Sequence, residues 1–148
     1  MNERYICRGK RKDNDEWIEG YLIQGNKTYI ATTEAINYMV VSTSYMASIE
    51  LVEVIPETVG QCTTLTDKNG KPIFKGDIVE SRASENQEDW KKWVVGFSDG
   101  SFCFNREISK KRKHKHEENL LCVDEIELYG LTVIGNIHDN PELLEMER

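Results

Sequence analysis

Before residue 138 no ten-residue stretch of this chain places apolar residues at i, i+3, i+4 and i+7, so an amphipathic helix has nowhere to form. Short β-branched and aromatic runs recur instead, separated by Gly, Asn and Asp. That pattern predicts a mainly β chain. Tyr5–Arg8 and Trp17–Ile23 flank the polar loop Gly9–Asp15 and read as a first hairpin. Thr28–Thr32, Asn37–Val41 and Tyr45–Val54 are further strands. Thr33-Glu34-Ala35-Ile36 reads as a single helical turn, since Thr33 can cap it.

The stretch TDKNGKPIFKGDIVE, residues 66 to 80, holds two reversals. Asp67 suits the first position of a type I turn, because its carboxylate can bond the backbone two residues on. Gly70 can take the left-handed conformation that closes such a turn with a bulge. Pro72 has no N–H to give, so Lys71–Phe74 returns as an edge strand or as one that begins at Pro72. Lys75-Gly76 turns the chain again into Asp77–Glu80.

Ser81–Asp89 reads as a polar loop, and Trp90–Phe97 and Ser101–Phe104 as a hairpin about Ser98-Asp99-Gly100. Asn105–Asn119 is too polar to offset the entropy of ordering and reads as an exposed excursion. Leu120–Val123, Ile126–Leu128 and Leu131–His138 are closing strands, with Tyr129-Gly130 as a break. A short C-terminal helix is expected from Asn140 as cap and Pro141 at its first position.

The 148 residues suffice to bury roughly 68–70% of the unfolded surface without a metal or disulfide staple. The formal net charge of −7 opposes contact with nucleic acid or anionic lipid except where positive charge is local. No apolar run approaches the ~20 residues of a membrane span, and the N-terminal stretch lacks an apolar signal region. A soluble, cytoplasmic protein with no membrane partner is expected. Cys7, Cys62, Cys103 and Cys122 show no C-x-x-C spacing and read as reduced, buried thiols.

Three chemistries compete with a purely structural role for the residues concerned. Gly76-Asp77-Ile78-Val79, a long loop and WKKWVVGFSDGSF resemble the opening of small SH3-like barrels, some of which bind nucleic acid. Trp90, Trp93, Phe97 and Phe102 could then offer stacking faces, though alternation sends at least two of them inward. The run Lys110, Lys111, Arg112, Lys113, Lys115 could clamp phosphates, or be a solvated loop balanced by Glu117, Glu118, Asp124 and Glu125. Cys103, His114, His116 and Cys122 match no zinc spacing, and lysines around the histidines would repel a cation. No G-x-S-x-G, H-E-x-x-H, P-loop or dinucleotide fingerprint occurs, and His138 beside Asp139 reads as a packed or capping histidine. No enzyme, cofactor or metal is expected.

Three blocks go beyond composition: CRGKRKDNDEWIEGYLI at 7–23, IPETVGQCTTLTDKNGKPIFKGDIVE at 55–80 and VIGNIHDNPELLE at 133–145. Their order and wording resemble the YopX family of bacteriophage and prophage proteins. The resemblance implies a mainly β fold of interconnected sandwich-like and barrel-like sheets. It implies one domain over residues 1–148, with room for two β subdomains of about 1–60 and 61–148 sharing a core. It also implies a non-enzymatic protein that assembles as a homo-oligomer, with no catalytic residue to carry over. Glu57, Thr58, Val59, Gly60, Gln61, Asp67, Gly70, Gly76 and Asp77 match the family wording and are carried over as structural signature positions. The chain departs from the family wording near Cys62, where an aromatic is expected, at Thr66, where a basic residue is, and at Thr64 and Asp15, where Gly is. The expected function is that of an accessory protein acting through macromolecular contacts; the alternative is a nucleic-acid-binding module using the SH3-like half and the 110–115 run.

Overall fold

A computed structural model describes residues 3–41, 44–82, 90–105, 120–122 and 129–144, of which 33–41, 44–49, 120–122 and 129 by backbone alone. The chain divides into two compact units, Met1–Cys62 and Thr63–Arg148. The fold is mainly β. Its strands are β1 (Ile6–Lys10), β2 (Trp17–Gln24), β3 (Thr28–Val41), β4 (Ser44–Glu53), β5 (Gly60–Thr66), β6 (Pro72–Phe74), β7 (Asp77–Arg82), β8 (Lys91–Ser98), β9 (Ser101–Asn105), β10 (Leu120–Cys122) and β11 (Tyr129–Asn136). They form antiparallel sheets of order β4-β3-β2-β1-β5-β6 and β10-β9-β8-β7-β11. Both orders are open, so neither sheet closes into a barrel. The expected barrel-like half is an open five-stranded sheet.

In the first unit, β1 and β2 pair from Ile6↔Tyr21 to Lys10↔Trp17, which is the expected hairpin. The pleat turns Gly9, Ile30, Val52 and Val54 to one face, and Ile30, Val52 and Val54 are buried. Gly9 is there because a Cβ would press on Val54 and Ile30 at 3.2–3.3 Å. The chain leaving β4 comes back to β1: Arg11 bridges Val54, and Ile55 N–H donates to Lys10 O at 2.8 Å. The expected helical turn at Thr33–Ile36 is instead extended backbone within β3. Five steps from Ala31 to Ile36 are matched by two in β4, from Leu51 to Ile49, so the surplus residues form a bulge. A capping residue at Thr33 cannot win against a ladder that resumes on both sides.

β5 runs across the boundary between the units. Gly60 and Gln61 pair with Arg8 and Cys7, whereas the Thr63 hydroxyl donates to Ile73 O at 2.8 Å. The second unit is centred on Ile73, Val79, Trp93, Val95 and Phe104, with Leu65, Leu131 and Val133 against them. Full burial of such a side chain stabilises by about 1.5–3 kcal/mol. β6 begins at Pro72 and ends its sheet, as the missing N–H requires. Ser98↔Ser101 closes the β8–β9 hairpin, with φ of 51° at Asp99 and 83° at Gly100, the pair of positive angles a two-residue turn of this kind needs.

Several expectations change here. Ser81 and Arg82 belong to β7, not to a loop, because β8 and β11 pair with them; residues 83–89 lie outside the described residues. Tyr129-Gly130 does not break the chain but starts β11, which takes up the irregularity as a register shift before Thr132, with Gly130 at φ 67°. The short C-terminal helix begins at Pro141 as expected, and among the described residues it is a 3-10 helix, Pro141–Leu144. Asn140 does not cap it with its side chain: Oδ1 accepts from Asn136 N–H at 3.3 Å. Asn105, expected to open the excursion, instead ends β9 opposite Val94; the rest of that excursion, 106–119, and the strand at 126–128 lie outside the described residues.

Candidate functional site

Register decides which side chains of the first unit look outward. Ile6, Tyr21, Ala31 and Leu51 lie abreast on β1 to β4, and Ile23, Tyr29 and Glu53 lie abreast one row on. All are on the face opposite Ile30 and Val52, since neighbours along a strand alternate. Tyr21, Ile23 and Leu51 are 41%, 42% and 48% exposed. Buried Ala31 lies between Tyr21 and Leu51. Three large apolar side chains thus stand on one open sheet face.

Charged groups border this face. Glu53 accepts from Lys12 Nζ at 2.8 Å on one oxygen and from Lys27 Nζ at 3.0 Å on the other. Those two bonds hold its carboxyl below the usual range, against a smaller opposing push from burial, and the bond to Glu53 raises Lys27. Arg11 grips both oxygens of Asp13 and lowers it likewise. Lys12, Asp13, Val52 and Glu53 line an open recess of about 290 Å³. A carboxylate with both oxygens held by lysines is a poor proton acceptor, so the recess offers charge and shape, not general-base chemistry. On the same face, Arg8 and Lys10 lie 4.7 and 5.6 Å from the centre of the Trp17 ring. Sequence reading missed this stack; the offset Lys10↔Trp17 across the first hairpin was the signal for it.

In the second unit the four aromatics separate. Trp93 is buried and donates its indole N–H to Ser81 Oγ at 2.9 Å. Phe97 is 52% exposed and meets Phe102 edge-on, 5.2 Å between centroids. Trp90 is 39% exposed, with Arg82 at 5.3 Å and Lys68 at 6.0 Å from its ring centre. A Cβ on Gly130 would lie 2.9 Å from Cη2 of Trp90, so the glycine lets that ring rest on β11. Lys110, Lys111, Arg112, Lys113 and Lys115 lie outside the described residues, so no geometry joins them to Trp90.

The signature positions sit at creases. Pro56–Thr58 is a 3-10 turn that includes exposed Glu57. Thr58 Oγ1 accepts from Lys10 N–H at 2.9 Å and donates to Ile55 O at 2.7 Å. Val59 N–H closes the turn on Pro56 O, Gly60 pairs with Arg8, and Gln61 Nε2 donates to Arg4 O at 3.0 Å. Asp67 is buried and accepts backbone N–H groups from Asn69 at 2.8 Å, Lys71 at 2.9 Å and Val133 at 3.1 Å. Burial pushes its carboxyl up, but the bonds from Lys71, Val133 and Asn69 together outweigh burial and hold it low. Gly70 stands at φ 80° and Gly76 at φ 91°. Gly76 N–H donates to Val95 O, and Gly76 O accepts from Ile137 N–H. Asp77 is fully buried and its Oδ2 accepts from Phe74 N–H at 2.8 Å.

Cys7, Cys62 and Cys103 are buried thiols outside any disulfide; burial and the neighbouring Cys62 raise the Cys7 thiol. His114 and His116 lie outside the described residues, as does the side chain of Cys122. Among the described residues no cluster of three or more His, Cys, Asp or Glu is arranged to hold a metal. His138 N–H donates to Asn136 Oδ1 at 3.0 Å in the turn after β11. No described helix is long and apolar enough to cross a membrane.

No curated protein matches this chain. Among solved structures it is similar to one described as the crystal structure of protein EF1440 from Enterococcus faecalis. The two are 23% identical, with a TM-score of 0.60 over 93% of this chain and 96% of the other. At that identity the likeness concerns the fold alone. A family model described as YopX protein matches residues 7–145, nearly the full length and all three blocks of shared wording, and the chain belongs to the YopX family.

Proposed function

We propose that this chain is a non-enzymatic accessory protein of a phage or prophage, working in the bacterial cytoplasm by binding macromolecules, copies of itself among them. The observation that carries this reading is the outward face of the first unit, where Tyr21, Ile23 and Leu51 stand exposed on adjoining strands. Single exposed apolar residues are ordinary; grouped ones bordered by charge mark a contact surface. Light scattering at micromolar concentration tests self-association: a mass above the 17.1 kDa monomer is expected, and a clean monomer mass removes it. Replacing Tyr21, Ile23 and Leu51 with Thr tests the face. A variant that folds and keeps both the parent's mass and its partners overturns that assignment.

A second reading is favoured by Trp90, a partly exposed ring with the cations of Arg82 and Lys68 beside it. Such a ring can stack on a base while the cations meet phosphate. Neutralising Lys110, Lys111, Arg112, Lys113 and Lys115 to Gln, with Trp90→Ala as a separate variant, should then weaken retention on single-stranded DNA. Parent retention should fall at about 0.7 log units per log unit of salt for each phosphate neutralised. No retention of the parent at low salt ends this reading.

A further inference from the structure

β3 and β4 are the longest of the described strands, and β2 accompanies them only part of the way. The β2–β3 ladder runs from Gln24↔Thr28 to Gly20↔Thr32 and stops. Beyond the bulge, β3 and β4 continue through six pairs, from Ile36↔Ile49 to Val41↔Ser44, with no other strand beside them among the described residues. The distal half is therefore a two-stranded ribbon, and β4 ends the sheet. An isolated two-stranded ribbon is marginal in water, and an unpaired edge is a template for another strand.

The composition sharpens this. Charged residues make up 30% of the chain, yet between Glu34 and Glu50 there is no Asp, Glu, Lys, Arg or His. There is also no Pro or Gly over 35–49. Edges that must stay single are defended by charge, proline, shortness or a bulge within the edge. Here the bulge lies at the ribbon's base in β3, and the Ser44–Ile49 part of β4 carries neither charge nor proline.

We propose that the Ser44–Ile49 edge of β4 pairs antiparallel with the same edge of a second copy, a step that rests on the self-association reading above. Charge selects the occupant. Two copies each carrying a formal −7 repel wherever acidic surface meets acidic surface. This uncharged strand is where identical surfaces meet without that penalty. Antiparallel pairing of an edge with itself is also two-fold symmetric, so it closes at the dimer and does not propagate.

The test uses the full chain in three forms: parent, the double variant Met46→Lys with Ser48→Lys, and the double variant Met46→Glu with Ser48→Glu. Light scattering should give the parent a mass above one chain, each variant a loss of that association, and a one-to-one mixture a return of it. Hydrogen exchange should show the amides of 44–49 at least tenfold slower in the parent than in either variant. Variants that keep the parent's mass overturn the β4 pairing and leave self-association standing on another surface. A mixture that stays dissociated also overturns it. A parent that is monomeric at micromolar concentration removes both. Should neither variant fold, dilution of the parent decides: exchange at 44–49 that is independent of concentration refutes the pairing.

Discussion

Thr64 stands at φ 70° in β5, a left-handed conformation that a β-branched residue adopts only at a cost. Its neighbour shows why the backbone is held there. Thr63 Oγ1 donates to Ile73 O and accepts from Leu65 N–H at 3.1 Å, so the side chain before the kink ties down the backbone after it. Thr64→Gly should relieve about 1–2 kcal/mol of left-handed strain. Against this stands the added freedom of the unfolded chain, about 0.4–1 kcal/mol. The Thr64 side chain is exposed, so little burial is lost. The net expectation is a gain of about 0.5–1 kcal/mol, a rise in melting temperature of about 1–4 °C for a chain of this length. Urea denaturation at constant m-value is the assay. Thr64→Ala is the control, because it keeps a Cβ at the same φ and should recover less than half of the gain. A Gly variant no more stable than the parent, or an Ala variant equal to Gly, refutes the reasoning.

At Gly20 the opposite holds: a Cβ would run into the Ala31 carbonyl oxygen and lie 2.9 Å from Ile30 Cγ2, so Gly20→Ala should cost about 3 kcal/mol in a thermal melt. Gly70→Ala meets no atom within 4 Å and pays only for its φ of 80°, so about 1 kcal/mol should appear as a lower urea midpoint. Asp15→Gly, at φ 60°, should stabilise by less than Thr64→Gly in the same urea assay, since Asp tolerates that region better than a β-branched residue. The Asp67 carboxyl is lower in the folded chain than in the unfolded one, so its contribution is present above pH ~3.9 and is lost as pH falls through the lower folded value. Asp67→Asn should cost about 2 kcal/mol at pH 7 and flatten the stability curve between pH 5 and pH 2; an unchanged slope counts against it.

Turns were readable from the chain because their chemistry is local. Gly70, Pro72 and Asp99-Gly100 each act within a few residues, as do the bonds of Asp67 to Asn69 and Lys71; its third bond, from Val133 N–H, was not readable. The two positions where family wording would have Gly, Thr64 and Asp15, both have positive φ. What escaped sequence reading depends on distant partners. Thr33–Ile36 looks helical in isolation, but its conformation is set by Ile36↔Ile49 and Ala31↔Leu51. Tyr129 and Gly130 look like a break until Arg82 supplies a partner. The aromatic surface was half readable: Trp93 and Phe97 share parity on β8, and what separates buried from exposed is that the β7 ladder ends at Ile78↔Val94, short of Phe97.

The signature residues and the candidate contact residues are different sets, and physics explains the separation. Asp67 and Asp77 are buried carboxylates, tolerable only because backbone N–H groups at fixed distances meet them. Gly70 and Gly76 hold angles that side chains rarely adopt. Such positions are specified by the crease itself and would be so whatever the protein binds. Tyr21, Ile23, Leu51 and Trp90 obey no such constraint: each is exposed, and most residues of similar β preference would fold equally well there. Belonging to the family therefore fixes the creases, while the proposed contacts fall on the outward faces. A substitution at a crease should lower stability and binding together. One at Tyr21 or Leu51 should change binding with the fold intact.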